Sequence, residues 1–463
     1  MTTIILSIGD ELILGQTVDT NSAWLAQRCA AVGLRPLRHN TVSDAQDMIE
    51  LAIMEAAPLA DVLLITGGLG PTEDDLTRNA LAAVMETDLA LDPAALENVE
   101  RFFKHLNRDM PPRNRVQAMI PRGAQMIENT NGTAPGIRAV ITTEIAGPDD
   151  GDDALLENEC HVFIMPGVPK EMRAMFDRSI LPAIRTLQQQ SDEPAPVIRS
   201  RTLHTFGLGE SAVADLLKPA NMMDRTRNPS VGTTVSGGVV SLRLNAYFDS
   251  EQEADAKLAE TDALCRAALG DLVYGSDEDT LPAVVSRLLK RRTDATDPEP
   301  GLTVATAESC TGGLVAKLLT DDAGASTHFQ FGWVTYANHA KTSLLGVRQE
   351  TLDAHGAVSA EVVREMSAAA LLLASADYAL AVSGIAGPDG GTPDKPVGTV
   401  WLAIASKRPL PFPSSSPATQ DSPVNVFTRR FQFPGDREMI RDRSAKTALT
   451  LLRFALLGKP LPF

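Results

Sequence analysis

The sequence is poor in aromatic residues, 5% of 463 positions, so its cores must be aliphatic. Its four cysteines, Cys29, Cys160, Cys265 and Cys310, form no C-x-x-C pair. Their wide scatter matches neither a disulfide framework nor a zinc site, and a reducing cytoplasm is the expected compartment. No run approaches the ~20 apolar residues of a membrane helix. The opening MTTIILSIGDE lacks the basic stretch and long apolar segment of a secretion signal. Basic residues are outnumbered, 42 against 59, for a net charge of −17. That field is wrong for a chain built mainly to coat nucleic acid or anionic lipid. What is present is ordinary for a soluble globular protein: 44% hydrophobic and 22% charged residues. The length allows roughly three domains of about 150 residues.

The first ~170 residues alternate strands and helices. Strands are expected over 4–8, 34–42, 62–66 and 161–165. Helices are expected over 22–32, capped by Asn21 and stopped by Gly33, over 45–57, capped by Asp44, over 77–85, and from about 170. This order implies a doubly wound sheet with ligands at the carboxyl ends of its strands. Residues 146–159 read as an exposed acidic insertion. Beyond Arg199, strands over 197–206 and 239–248 and helices over 210–217 and 251–269 form a small α+β module. Residues 291–300 (RRTDATDPEP) read as a linker and 409–424 as a Pro/Ser-rich insertion. A last α/β domain begins at Leu302.

Two constellations carry chemistry. In the first, Gly67-Gly68-Leu69-Gly70-Pro71-Thr72-Glu73-Asp74-Asp75 follows a buried strand and precedes a helix. Glycines permit close approach of backbone to ligand, and a helix start favours an anion such as phosphate. Asp74 and Asp75 would repel that anion unless a divalent cation lay between them, and Asp10 ends the first strand on the same sheet edge. The plain alternative is a tight turn with acidic residues favoured by the helix dipole.

In the second, the strand 302–307 ends in Glu308-Ser309-Cys310-Thr311-Gly312-Gly313, and a helix follows over 314–319. Strand, turn and helix together expose a nucleophile beside free backbone N–H groups. Ser309 needs a base. His328, His339 and His355 sit in no recognisable triad context. Lys341 falls in the first turn of a helix capped by Asn338, where the dipole disfavours a cation and so favours the neutral amine. Tyr336 is placed to relay or orient the proton. Cys310 is the rival nucleophile, although a buried small cysteine is the commoner fate. The glycine loop 383–392 (SGIAGPDGGT) ends a strand over 378–382, and Arg437 leads the last helix, where it could hold a phosphate or simply face solvent.

GDELILG, DTN, GGLGPTEDD, NGTAPG and PGVPKEM resemble the N-terminal domain of the competence/damage-inducible protein A (CinA) family, which looks like the molybdopterin-binding fold. GLGES, NPS and SLRL resemble that family's KH-like module. ESCTGG, TYANHAK, SGIAGPDGGT, KPVGTVW and GDREMIR resemble its C-terminal nicotinamide-nucleotide amidase domain. The resemblance implies a three-layer α/β/α N-terminal domain over 1–175, a connecting and KH-like α+β module over 176–280, and a C-terminal α/β amidase domain over 281–463.

It also implies two activities of pyridine-nucleotide salvage. One is deamidation of nicotinamide mononucleotide (NMN) to nicotinate mononucleotide and ammonia, with Ser309 as nucleophile activated by Tyr336 and Lys341 and no metal needed. The other is hydrolysis of ADP-ribose to AMP and ribose 5-phosphate by the N-terminal domain, dependent on a divalent ion such as Mg at Asp74, Asp75 and Asp10. Expected substrate contacts are Thr311, Gly312, Gly313, Gly384, Gly387 and Arg437 in one domain and Gly67, Gly68, Gly70 and Asn21 in the other. A homodimer is implied, with no membrane contact. The KH-like module lacks a basic G-x-x-G loop, so a structural or dimerising role is expected in place of RNA binding. Molybdopterin binding or adenylyl transfer is the alternative for the N-terminal domain, and a non-enzymatic competence factor the alternative for the whole.

Overall fold

A computed structural model describes residues 1–146, 155–190, 197–290, 301–413 and 424–462. The linker 291–300, most of the Pro/Ser-rich insertion and the centre of the acidic insertion lie outside the described residues. The acidic insertion is narrower than expected, because residues 155–159 belong to the long strand Leu155–Met165. The chain forms two compact units: Met1–Arg199 with Ala246–Ala256, and Ser200–Asn245 with Lys257–Phe463.

The first unit is built on a six-stranded sheet in the order Arg35–Val42, Thr2–Ile8, Val62–Thr66, Leu155–Met165, Gly136–Ala146, Gln125–Ile127. The first four run parallel, and the last two complete an antiparallel edge. Side chains alternate between two cores along the central strands. Ile4, Leu6, Ile8, Leu63 and Ile65 meet the helices Gln46–Ala56 and Thr77–Val84 on one face. Ile5, Val62, Leu64 and Phe163 meet Thr20–Ala30 and Pro169–Met175 on the other. Period-two alternation with both faces apolar is what a parallel sheet covered on both sides requires, and it makes the three-layer sandwich. Two expected caps are corrected. Asp19, not Asn21, caps the first long helix by accepting from Ser22 N at 2.9 Å. Asp44 caps nothing and instead pairs with Asp10.

The second unit holds most of a four-stranded sheet and a five-stranded sheet. The first, ordered Ser230–Ser236, Val239–Phe248, Val197–Phe206, Val273–Ser276, is that of the KH-like module. The second is ordered Phe329–Val334, Val304–Glu308, Tyr378–Gly384, Thr399–Ser406, Asn425–Gln432, with the first three parallel. One of its faces is largely alanine: Ala305, Ala307, Ala379, Ala381, Ala403 and Ala405. Small side chains there let the helix Ala360–Leu373 lie close to the sheet. The opposite face carries Val304, Leu380, Val382, Leu402 and Ile404 and packs against the long helix Arg437–Leu457. Low aromatic content is thus matched by aliphatic layers. Among the described residues no helix is long and apolar enough to cross a membrane.

Candidate active site

Three segments meet at the carboxyl ends of the parallel strands of the second unit, where an open α/β sheet places its ligand crevice. They are the turn after Val304–Glu308, the residues after Phe329–Val334 and the loop after Tyr378–Gly384. Ser309 is 8% exposed and anchored by its own N–H to Val382 O at 2.9 Å. Lys341, on the helix Asn338–Leu345, is 1% exposed, and its Nζ lies 3.1 Å from Ser309 Oγ. The same amine donates to Thr335 O at 2.8 Å and Tyr336 O at 3.4 Å. No carboxylate pairs with it among the described residues.

Burial holds the Lys341 amine below its ordinary pKa, because the charged form loses water. A neutral amine has two N–H groups and one lone pair. With the hydrogens on the two carbonyls, the lone pair is left for the Ser309 hydroxyl. Ala337, not Asn338, is the cap residue of the Lys341 helix. Among the described residues no hydrogen bond joins the rival Cys310 thiol to Lys341, whose amine reaches Ser309 Oγ instead. Cys310 is 5% exposed, and burial pushes its thiol up to about 12.

The cavity at this site has a volume of about 280 Å³ and is lined by Ser309, Cys310, Lys341, Gly384, Gly387 and Arg437, among others. It is near the small end of ligand pockets. Arg437 donates to Gly387 O at 2.7 Å and to the Tyr336 hydroxyl at 2.6 Å, which ties two loops across the cavity. The Tyr336 phenol therefore points to Arg437, and no hydrogen bond joins it to Ser309 or Lys341; its carbonyl, not its hydroxyl, meets the base. Gly384 and Gly387 line the cavity as expected.

Thr311, Gly312 and Gly313 do not line the cavity. Thr311 is fully buried, its hydroxyl donating to Glu308 at 2.7 Å and its carbonyl accepting from Arg441 at 2.8 Å. Gly312 N donates to Ser309 O, and Gly313 N to Glu308 Oε2. The Gly312 and Gly313 amides are therefore engaged within the turn. The Cys310 N–H, next to Ser309, donates to no other residue among the described ones. Sequence reasoning missed Glu308, 1% exposed. Its signal was an acidic residue closing an apolar strand immediately before the turn.

In the first unit the glycine loop is filled by its own atoms. A Cβ on Gly67 (φ +112°) would stand 2.3 Å from Ile8 O, and one on Gly68 (φ +65°) 2.0 Å from Thr77 Oγ1. A Cβ on Gly70 would meet the Asp75 carboxylate. These glycines are required by packing whether or not a ligand approaches. Asp75 accepts from Gly70 N at 2.6 Å, from Thr72 N at 2.8 Å and from the Thr72 hydroxyl. Arg78, 2% exposed, clamps the same loop through Leu69 O at 2.6 Å and Gly70 O at 2.9 Å.

The expected metal trio is therefore not assembled. Asp75 is turned into its loop. Asp10 and Asp44 bond each other's backbone N–H, at 2.9 and 3.3 Å. Asp74 is exposed. Among the described residues no three His, Cys, Asp or Glu side chains group to hold a metal ion. Asn21 does line a cavity of about 110 Å³ with Ser7, Glu11, Thr66 and Gly167. Its amide donates to Gly167 O at 2.8 Å, and its buried Oδ1 has no hydrogen-bond partner.

Three family models match the chain in order: a probable molybdopterin binding domain over residues 4–186, the damage-inducible protein CinA KH domain over 200–275 and the CinA C-terminal domain over 289–456. A putative competence-damage inducible protein of Symbiobacterium thermophilum is 40% identical over 451 residues, 97% of this chain and 98% of that one. A CinA-like protein of Geobacter sulfurreducens is 41% identical over 453 residues, 98% of each chain. Among solved structures, the competence/damage inducible protein CihA from Agrobacterium tumefaciens is 40% identical, covering 37% of this chain and 95% of its own with a TM-score of 0.31. Since the similarity to full-length relatives runs across nearly the whole of both chains, this chain belongs to the CinA family of competence/damage-inducible proteins.

Proposed function

We propose that the second unit is a serine amidohydrolase that converts NMN to nicotinate mononucleotide and ammonia. The observation that carries this reading is the 3.1 Å approach of an unpaired, buried lysine amine to Ser309 Oγ. Neutral Lys341 takes the hydroxyl proton as Ser309 Oγ attacks the carboxamide carbon. The Cys310 N–H stabilises the oxyanion. Lys341 then gives that proton to the departing nitrogen, and ammonia leaves an acyl-serine ester. Water attacks the ester carbon, Lys341 takes one of the water's protons and returns it to Ser309 Oγ, and the carboxylic acid that departs loses its remaining proton to solvent. No step calls for a metal. Arg437, at the cavity wall, suits the nucleotide phosphate. Ammonia release from NMN by the purified chain tests the reading. Ser309→Ala and Lys341→Ala should each abolish it, and release at the wild-type rate in either variant would refute the dyad.

For the first unit we propose hydrolysis of ADP-ribose to AMP and ribose 5-phosphate. The unpartnered Asn21 Oδ1 beside a strand-end cavity supports a polar ligand there. Incubation with ADP-ribose, with and without Mg and a chelator, tests both the activity and its dependence on a divalent ion. Bound molybdopterin with no AMP formed would favour the binding reading instead.

A further inference from the structure

Glu308 is fully buried yet takes no part in the bond-breaking steps proposed above. Its Oε2 accepts from Thr311 Oγ1 at 2.7 Å, Gly313 N at 3.1 Å and Val315 N at 3.0 Å, and its Oε1 accepts from Ala316 N at 2.8 Å. All of these donors belong to the turn after Ser309 and the helix it starts, Leu314–Leu319. The backbone of the same residue reaches the other half of the dyad. Glu308 O accepts from Thr335 N at 2.7 Å, and Thr335 O receives the Lys341 amine at 2.8 Å. One residue is therefore joined to the turn that carries the nucleophile and to the segment that holds the base.

A short helix needs far less than this. A Ser, Thr or Asp at the cap satisfies one or two orphan N–H groups from the surface, without removing a carboxylate from water. A buried carboxylate with every partner a donor gains something a cap does not: it fixes the whole turn in one geometry. It also engages the Gly313, Val315 and Ala316 amides, which would otherwise attract an anion.

We infer that Glu308 is a positioning residue, whose carboxylate holds the 309–316 turn so that Ser309 Oγ stays within reach of Lys341 Nζ. The inference rests on the amidase reading. Glu308→Gln tests it at constant size. An amide must set its NH2 group against Ala316 N–H or against the donors on the other oxygen, so the turn has to shift. In the full-length chain kcat for NMN should fall at least about tenfold with KM held within about threefold, since small misplacements of reacting groups act on kcat. A crystal structure of the variant should show Ser309 Oγ and Lys341 Nζ beyond about 3.5 Å, outside hydrogen-bond reach. A folded variant with kcat near wild type, or with that spacing unchanged, overturns the inference. Should Glu308→Gln fail to fold, Thr311→Val removes a single donor. The same two measurements then apply, with a loss of roughly three- to tenfold in kcat expected, and no loss in a folded Thr311→Val protein overturns it. If wild type leaves NMN intact, the amidase reading falls, while the crystallographic spacing still decides whether Glu308 positions Ser309.

Discussion

Replacing Lys341 by methionine keeps an unbranched chain in the buried slot and removes the only base that touches Ser309 among the described residues. General-base catalysis contributes about 10²–10⁴ in rate, or roughly 3–5 kcal/mol of barrier. No histidine lies beside Ser309 to substitute, so kcat for ammonia release from NMN should fall toward the upper end of that range. The pH profile carries the same argument. Burial holds the wild-type amine below 10.5, so kcat/KM should rise with pH through that lowered pKa and level off above it.

Stability follows with a definite sign. Between the lowered pKa and 10.5 the folded chain binds fewer protons than the unfolded one, so stability rises with pH in that window. Below it the cost of burying the ammonium is present in full. Lys341→Met abolishes this slope and leaves the Thr335 carbonyl without its amine partner, which costs about 1–3 kcal/mol. Purified protein would be assayed for ammonia across pH, with circular dichroism to confirm folding. A folded Met variant that retains wild-type turnover refutes the reasoning. So does an active Lys341→Arg variant, because a guanidinium cannot accept the proton.

Cys310→Ala should keep ammonia release within about threefold of wild type, because a thiol held up near 12 supplies no nucleophile, and wild-type Cys310 should resist iodoacetamide at pH 8 in mass spectrometry. Arg437→Ala should raise KM for NMN at least about tenfold, since a phosphate bound by guanidinium is worth several charge-assisted hydrogen bonds, and should affect the phosphate-free riboside far less; equal losses on both substrates would show that Arg437 only ties the loops. Arg78→Met removes the clamp on Leu69 O and Gly70 O. It should cost the first unit roughly 1–3 kcal/mol, because Gly70 O loses its donor while Leu69 O keeps Gln117 Nε2 at 3.3 Å, read from the chemical-denaturation midpoint, and an unchanged midpoint would contradict the burial argument.

Much of this architecture was legible from local pattern. Apolar runs such as 62–66 and 378–382 announce buried parallel strands, and the two strands and two helices expected between 197 and 269 are observed with the same bounds, although the strand Ser230–Ser236 between them was not expected. Ser309 and Lys341 were also legible, because a strand–turn–helix presents a nucleophile and the chain offers no suitable histidine. Hydrophobic periodicity and turn chemistry act over a few residues, so they survive in the one-dimensional string.

Direction of side chains was not legible, because it depends on partners far away in sequence. Asp75 and the glycines of the 67–70 loop read as ligand contacts until the fold turned them inward, toward Thr72, Thr77 and Ile8. Thr311 and Gly313 were similarly claimed from within by a carboxylate whose burial no spacing rule reveals, and Gly312 by the Ser309 carbonyl. That Ser309 and Lys341 are candidates for one site is therefore a property of the chain's own order of residues. Whether a polar group faces a substrate or its neighbours is settled by packing, since a buried donor or acceptor must find its partner wherever the fold brings one.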